Sequence, residues 1–154
     1  LLLLRLLMNN DIAAVKNNPR MTIPVFGNGD IDSPEKALTY KNKYGVDGIM
    51  IGRAAIGAPW FFRHVKNYFA TGNAGNPPDL AERLKAVRTH LGHSIEWKGE
   101  RLGIVEMRRH YANYFRGVPH FKEHRLALVT LDNPEAIKAK LVEIEDRFRE
   151  HVFA

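Results

Sequence analysis

The chain has 154 residues, 45% of them hydrophobic and 26% charged, a composition ordinary for one soluble domain or two small ones. It contains no cysteine, which excludes disulfides, cysteine metal sites and thiol catalysis by this chain. Lys and Arg number 23 against 17 Asp and Glu, a formal charge of +6. That balance suits a polyanionic partner without establishing one.

The run Leu1 to Met8 is apolar except for Arg5. It is too short to span a bilayer, which takes about 20 residues. The basic stretch before it and the small-residue cleavage site after it that a signal peptide needs are both missing. It reads as a leucine-rich helix packing on a partner, and a cytoplasmic location with no membrane association is expected.

Ile23-Pro24-Val25-Phe26 is a short apolar run closed by Gly27-Asn28-Gly29-Asp30, a strand running into a tight loop. Ser33 as N-cap with Pro34 at the first position starts a helix that ends near Gly45. Val46 to Ile51 reads as a second buried strand, stopped by Gly52-Arg53. Strand, helix, strand with short connections implies parallel strands joined by a right-handed crossover. Two parallel strands alone make a marginal sheet, so the first half reads as the end of something larger.

Residues 71–78 hold two Gly, two Asn and two Pro and read as a linker. Beyond it the pattern is helical. Asp79 with Glu82 resembles a capping box, followed by Leu80, Leu84, Val87 and Leu91 at helical spacing. A second helix is predicted from Glu100 to Arg116 and a shorter one from His120 to Thr130. Asn133 and Pro134 start the last, which should bury Ile137, Leu141, Ile144 and Phe148. Four helices with short turns predict a small bundle.

Two features carry chemistry. The glycine loops after the two strands, with Arg53 in the second, suit an anion, because glycine lets backbone N–H groups approach a ligand closely. The last two strand-to-helix loops of a (β/α)8 barrel form such a phosphate cradle. The alternative is a pair of plain turns, with Asp30 bonded within its own loop.

The second feature is the window Arg83 to Arg125, with ten Lys or Arg against four Glu. At about 100° per residue, Arg101, Arg108, Arg109 and Arg116 share one arc of the Glu100–Arg116 helix. Val105 and Ala112 lie inside that arc. An arginine stripe suits RNA phosphates; the alternative is a solvated face paired with Glu of neighbouring helices. Trp97, Tyr111, Tyr114 and Phe115 read as core rather than base-stacking groups. His90 and His93 lack a partner cluster, so no metal is expected.

The segment Ile23 to Phe62, with the strings NGDI, GIMIGRAA and PWFF in that order, closely resembles the seventh and eighth barrel strands of bacterial tRNA-dihydrouridine synthases. Glu106 to Tyr111, Tyr114 and Gly117-Val118-Pro119 resemble the helical domain of the same family. The resemblance implies the end of an FMN-binding (β/α)8 TIM barrel over residues 1–70, the linker, and a helical tRNA-binding domain over 79–154. It implies FMN as cofactor, NADPH as hydride donor and tRNA as partner, in an oxidoreductase that reduces uridine to 5,6-dihydrouridine. Asn28, Gly29 and Asp30 would sit at the FMN edge, Gly52 and Arg53 would bind its phosphate, and Ala54 would open the short phosphate helix. Trp60, Phe61 and Phe62 would seal the barrel against the helix that follows it.

The family's catalytic cysteine comes from an earlier loop, so the resemblance implies a segment of such an enzyme, inactive alone and with no catalytic residue of its own. A missing amino-terminal barrel portion, on the same or a separate chain, would complete it. The other reading is a non-catalytic RNA-binding helical module with a vestigial barrel segment.

Overall fold

The computed structural model describes residues 11–149. Leu1 to Asn10, including the leucine-rich start, and residues 150–154 lie outside the described residues. The chain divides into two compact units, one ending at Gly75 and the other beginning at Asn76.

The first unit runs α1 (Asp11–Lys16), β1 (Phe26–Gly27), α2 (Pro34–Tyr44), β2 (Gly48–Ile49), a 3-10 turn (Arg53–Ala55) and α3 (Phe61–Thr71). The strands pair in parallel, Phe26 with Gly48 and Gly27 with Ile49. Helix α2 begins as its sequence dictates. The Ser33 hydroxyl accepts from the Lys36 amide at 3.1 Å, Pro34 follows, and Gly45 ends the helix in the left-handed conformation at φ 61°. Ile31, Ala37, Phe61 and Val65 form the core, with Tyr40, Ile49, Ile51 and Ala54 packed against it.

The strands are shorter than the sequence predicts, two residues each. A ladder extends only where a partner satisfies it, and among the described residues each strand has a partner on one side only. The apolar run accordingly stays open: Ile23 is 68% and Phe26 66% exposed. Of the aromatic trio, only Phe61 is buried; Trp60 is half-buried and Phe62 exposed. Asp47, just before β2, accepts from Lys16 Nζ at 2.7 Å and from the Val25 amide at 2.8 Å. These two bonds, Lys16 first, hold its carboxyl below the usual range.

The second unit is wholly helical: α4 (Leu80–Lys98), α5 (Glu100–Tyr114), α6 (Lys122–Thr130) and α7 (Pro134–Arg147). Helix α4 packs on α5 and α7, and α6 packs on the same two. Asp79 caps α4 by accepting from the Glu82 amide at 2.8 Å, and Asn133 caps α7 by accepting from Glu135 and Ala136 at 2.8 and 3.1 Å. Leu84, Val87, Leu91, Ile104, Met107, Tyr111, Leu128, Ile137, Leu141 and Ile144 are almost completely buried. Tyr114 and Phe115 join them as expected, but Phe148 is half-buried. Trp97 departs furthest, at 87% exposed.

Helices α4 and α5 are joined by Gly99 alone, at φ 78°. They approach most closely at Gly103, where an added Cβ would lie 2.7 Å from Ser94 C, Ser94 O and Ile95 N. The Ser94 hydroxyl donates to the Gly103 carbonyl at 3.1 Å across this contact. Arg83, 8% exposed, lies inside this unit. Its Nε donates to Pro78 O at 3.2 Å, and its Nη1 to Tyr114 O at 3.2 Å and Arg116 O at 2.9 Å.

Candidate functional site

Parallel pairing places the carboxyl ends of β1 and β2 side by side, and the two glycine loops leave from that edge. The Met50 amide donates to Gly27 O at 2.8 Å, continuing the ladder to the loop mouth. Asp30 takes the left-handed conformation at φ 49°. Its carboxylate does not stay within its own loop: Arg53 Nη2 donates to Asp30 Oδ1 in an ion pair that ties the two loops together. Gly29 lies under Tyr40, where an added Cβ would meet the ring at 3.1 Å, and Asn28 is exposed at the same strand end.

Gly52 is different, because a Cβ there would meet nothing within 4 Å. The 3-10 turn closes through Ala55 N to Gly52 O at 3.0 Å and Ile56 N to Arg53 O at 3.2 Å. Among the described residues the Arg53 and Ala54 amides have no acceptor, as expected for the first N–H groups of a helical turn. Open backbone, free amides and an exposed guanidinium together can hold an anion.

On α5 the arc of Arg101, Arg108 and Arg109 faces solvent, since Val105 within it is 47% exposed and Ala112 is also exposed. The helix ends at Tyr114, not Arg116, so Arg116 lies in the turn just beyond it. Arg101 has no partner among the described residues. Arg109 pairs within its own helix, with Glu106 at 3.9 Å and with His110 Nε2 at 3.2 Å. Arg116 donates to Asn113 Oδ1 at 2.8 Å. Arg108 is the exception: half-buried, it donates from Nη2 to Leu131 O at 3.3 Å, and its Nε is buried without a hydrogen bond. Among the described residues, none of the four pairs with a Glu of a neighbouring helix; the inter-helix arginine pair is Arg88 with Glu145 at 2.6 Å.

A histidine pair without any signal in the sequence spacing joins α4 to α5. The ring of His90 on α4 lies 4.8 Å from that of His110 on α5, and its Nδ1 is 3.1 Å from the Tyr114 hydroxyl. Arg109 donates to His110 Nε2, which requires that nitrogen to be unprotonated. Burial first, then a neighbouring histidine (His93 for His90, His90 for His110) and then Arg109 hold both imidazoles below their ordinary 6.5. His124, packed against Phe121 and Phe148, is held low by burial as well.

An imidazole kept neutral by burial takes up its proton more readily in the unfolded chain. Unfolding therefore binds protons, and stability falls as pH drops below about 6.5. A lower melting temperature is expected at about pH 5.5 than at about pH 7.5. His110→Gln should flatten that dependence, and identical melts of the unaltered chain at both pH values would refute it. The carboxyls held low, Asp47, Glu106 and Glu143, act below this window.

Comparison with known proteins decides the family, because the dihydrouridine synthase family model matches residues 7–149. The chain belongs to the dihydrouridine synthase family. Relatives include a probable tRNA-dihydrouridine synthase of Rickettsia conorii, 37% identical over 86% of this chain and 39% of the relative. The tRNA-dihydrouridine synthase B of Pseudomonas putida is 39% identical over 81% of this chain and 36% of its own length. That of Shewanella oneidensis is 45% identical over 67% of this chain and 31% of its own length. The chain thus spans well under half the length of the relatives it matches. Both glycine loops and all four arginines fall inside the span matched to the dihydrouridine synthase model. Among the described residues of this family member, no helix is long and apolar enough to cross a membrane, and no group of three or more His, Asp or Glu is placed to hold a metal.

Proposed function

We propose that the chain is the FMN-phosphate and tRNA-contacting portion of an FMN-dependent tRNA-dihydrouridine synthase. The complete enzyme would reduce uridine in tRNA to 5,6-dihydrouridine with NADPH. The observation that carries this reading is the family match running unbroken through two anion-suited features, the Gly52–Arg53 loop and the arginine face of α5. The loop fits a phosphate monoester: space in front of Gly52, two free amides and the exposed Arg53 guanidinium. Bound there, FMN would supply the hydride for the uracil C5–C6 bond. Gly52, Arg53 and Ala54 would hold its phosphate, with Asn28, Gly29 and Asp30 along its edge. The chain has no cysteine, so the family's proton donor lies outside it and the chain alone turns over no substrate. In this reading residues 1–70 close a (β/α)8 barrel, residues 71–78 link, and residues 79–154 form a helical bundle that holds tRNA in the cytoplasm.

On the helical side, Arg101, Arg109 and Arg116 would meet RNA phosphates, while Arg108 anchors the end of α6 through Leu131. Filter binding with bulk tRNA at about 50 and 200 mM salt tests this. Replacing Arg101, Arg109 and Arg116 by Ala should weaken binding and flatten the log–log salt slope by about 0.7–0.9 per lost contact. Arg108→Ala should cost stability more than slope. Unchanged affinity and slope in the triple variant would dispose of this face as the RNA footprint.

One observation favours the alternative of a non-catalytic RNA-binding module. The helical unit closes its own core, whereas the two-stranded unit leaves Ile23, Phe26 and Met50 exposed. Salt-sensitive tRNA binding by a colourless protein would support that module; a flavin retained through purification would support the working cofactor site.

A further inference from the structure

The ion pair between the two glycine loops puts a carboxylate beside the group expected to bind a phosphate. Charge alone makes Asp30 an odd neighbour for a dianion, and its backbone makes it odder. At φ 49° it occupies a conformation that glycine or asparagine adopts as readily. What aspartate adds at that position is a charged acceptor aimed at Arg53.

Both partners are set by the same core. Ile31, the residue after Asp30, is buried in it, and Ala54, the residue after Arg53, packs against it. The backbone on each side of the pair is therefore fixed, although the side chains are 58% and 78% exposed. An exposed arginine otherwise samples many rotamers, and a ligand must freeze them on binding. Asp30 engages one terminal nitrogen, Nη2, and a guanidinium carries five N–H donors in a rigid fork.

We propose that Asp30 is a positioning residue: it holds the Arg53 guanidinium in place so that the remaining donors of the fork meet a phosphate monoester. This rests on the phosphate reading of the Gly52–Arg53 loop. Positioning and repulsion act in opposite directions, and two substitutions separate them. Asp30→Ala loses both, whereas Asp30→Asn removes the charge and keeps an acceptor in a residue that tolerates the left-handed conformation.

The test is a double-mutant cycle on the purified chain, titrated with FMN and with riboflavin, which lacks the phosphate. Asp30→Ala should lower FMN affinity about two- to tenfold, the scale of one side chain left to be immobilised. Riboflavin affinity should fall less than FMN affinity, and the melting temperature should drop only slightly, because an exposed pair contributes little to folding and the cost is that of Ala at positive φ. Asp30→Asn should bind FMN at least as tightly as the unaltered chain. In an Arg53→Ala background, Asp30→Ala should have no further effect.

Equal or tighter FMN binding by Asp30→Ala overturns the proposal, as does the same loss in both Arg53 backgrounds or an equal loss of riboflavin affinity. If Arg53→Ala itself leaves FMN affinity unchanged, the phosphate reading fails at its root. An unaltered chain that binds neither flavin removes that reading and this proposal with it.

Discussion

Gly103→Ala is expected to destabilise the helical unit by about 2 kcal/mol or more, a large loss for a change of one methyl group. Overpacking typically costs about 1–3 kcal/mol, in cases where flexible side chains can yield. At Gly103 the obstructing atoms are the backbone of Ser94 and Ile95, each 2.7 Å from the added carbon. Backbone in a helix cannot rotate aside, so α4 and α5 would have to separate along their contact. That separation would loosen Leu91, Ile104 and Met107, which are almost fully buried nearby, and would stretch the 3.1 Å bond from Ser94 to the Gly103 carbonyl. Alanine's better helix propensity returns only about 1 kcal/mol.

Gly92 provides the control. It lies in α4 with nothing within 4 Å of an added Cβ, so Gly92→Ala should stabilise by about 0.5–1 kcal/mol. Urea denaturation followed by circular dichroism reads both, and the two shifts should have opposite signs. Equal shifts would mean that the helices do not meet closely at Gly103.

The second large effect is expected at Arg83. Its guanidinium ties the Pro78 carbonyl, before α4, to the Tyr114 and Arg116 carbonyls at the end of α5. The last carbonyls of a helix have no partner within it, and a cation there is favoured by the helix dipole. Burial lowers the guanidinium pKa but leaves it charged. Arg83→Met preserves much of the apolar stem and leaves those carbonyls without their donors. A loss of about 3 kcal/mol is expected, from hydrogen bonds to a charged group. Arg83→Lys should recover only part of it, because one ammonium cannot reach in both directions with a rigid fork. A methionine variant as stable as the parent would show that the three contacts contribute nothing net.

The helix ends were legible because they are local. Ser33, Asp79 and Asn133 bond amides two or three residues onward, and Gly45 needs only its own backbone freedom. The placement of Trp97 was legible too, but residue type overrode position. The buried stripe of α4 runs Leu84, Val87, Leu91, Ser94 and would continue at Lys98, so Trp97 falls off it.

Arg83 was counted with the basic window, yet it lies near that same stripe beside Leu80, Leu84 and Val87, and it is buried. Charge counting does not register a cation satisfied from inside. The non-local pairs had no trace in the sequence. Asp30 meets Arg53 across a crossover, and His90 meets His110 across a helical hairpin; both depend on how elements pack rather than on spacing within one. The strands failed in the opposite sense: their apolar residues read as buried, but among the described residues each strand pairs on one side only.

The single residue that separates α4 from α5 also orders events in time. Closing a chain through one glycine costs very little entropy, and contacts between neighbours in sequence form before distant ones. The two helices are the longest in the unit, and Gly99, already turned to φ 78°, commits them to fold back on each other. Helix α7 must find α4 across the whole intervening chain and therefore docks late. The hairpin is the natural nucleus, and a methyl group at Gly103 would slow its assembly more than it would hasten the unit's unfolding.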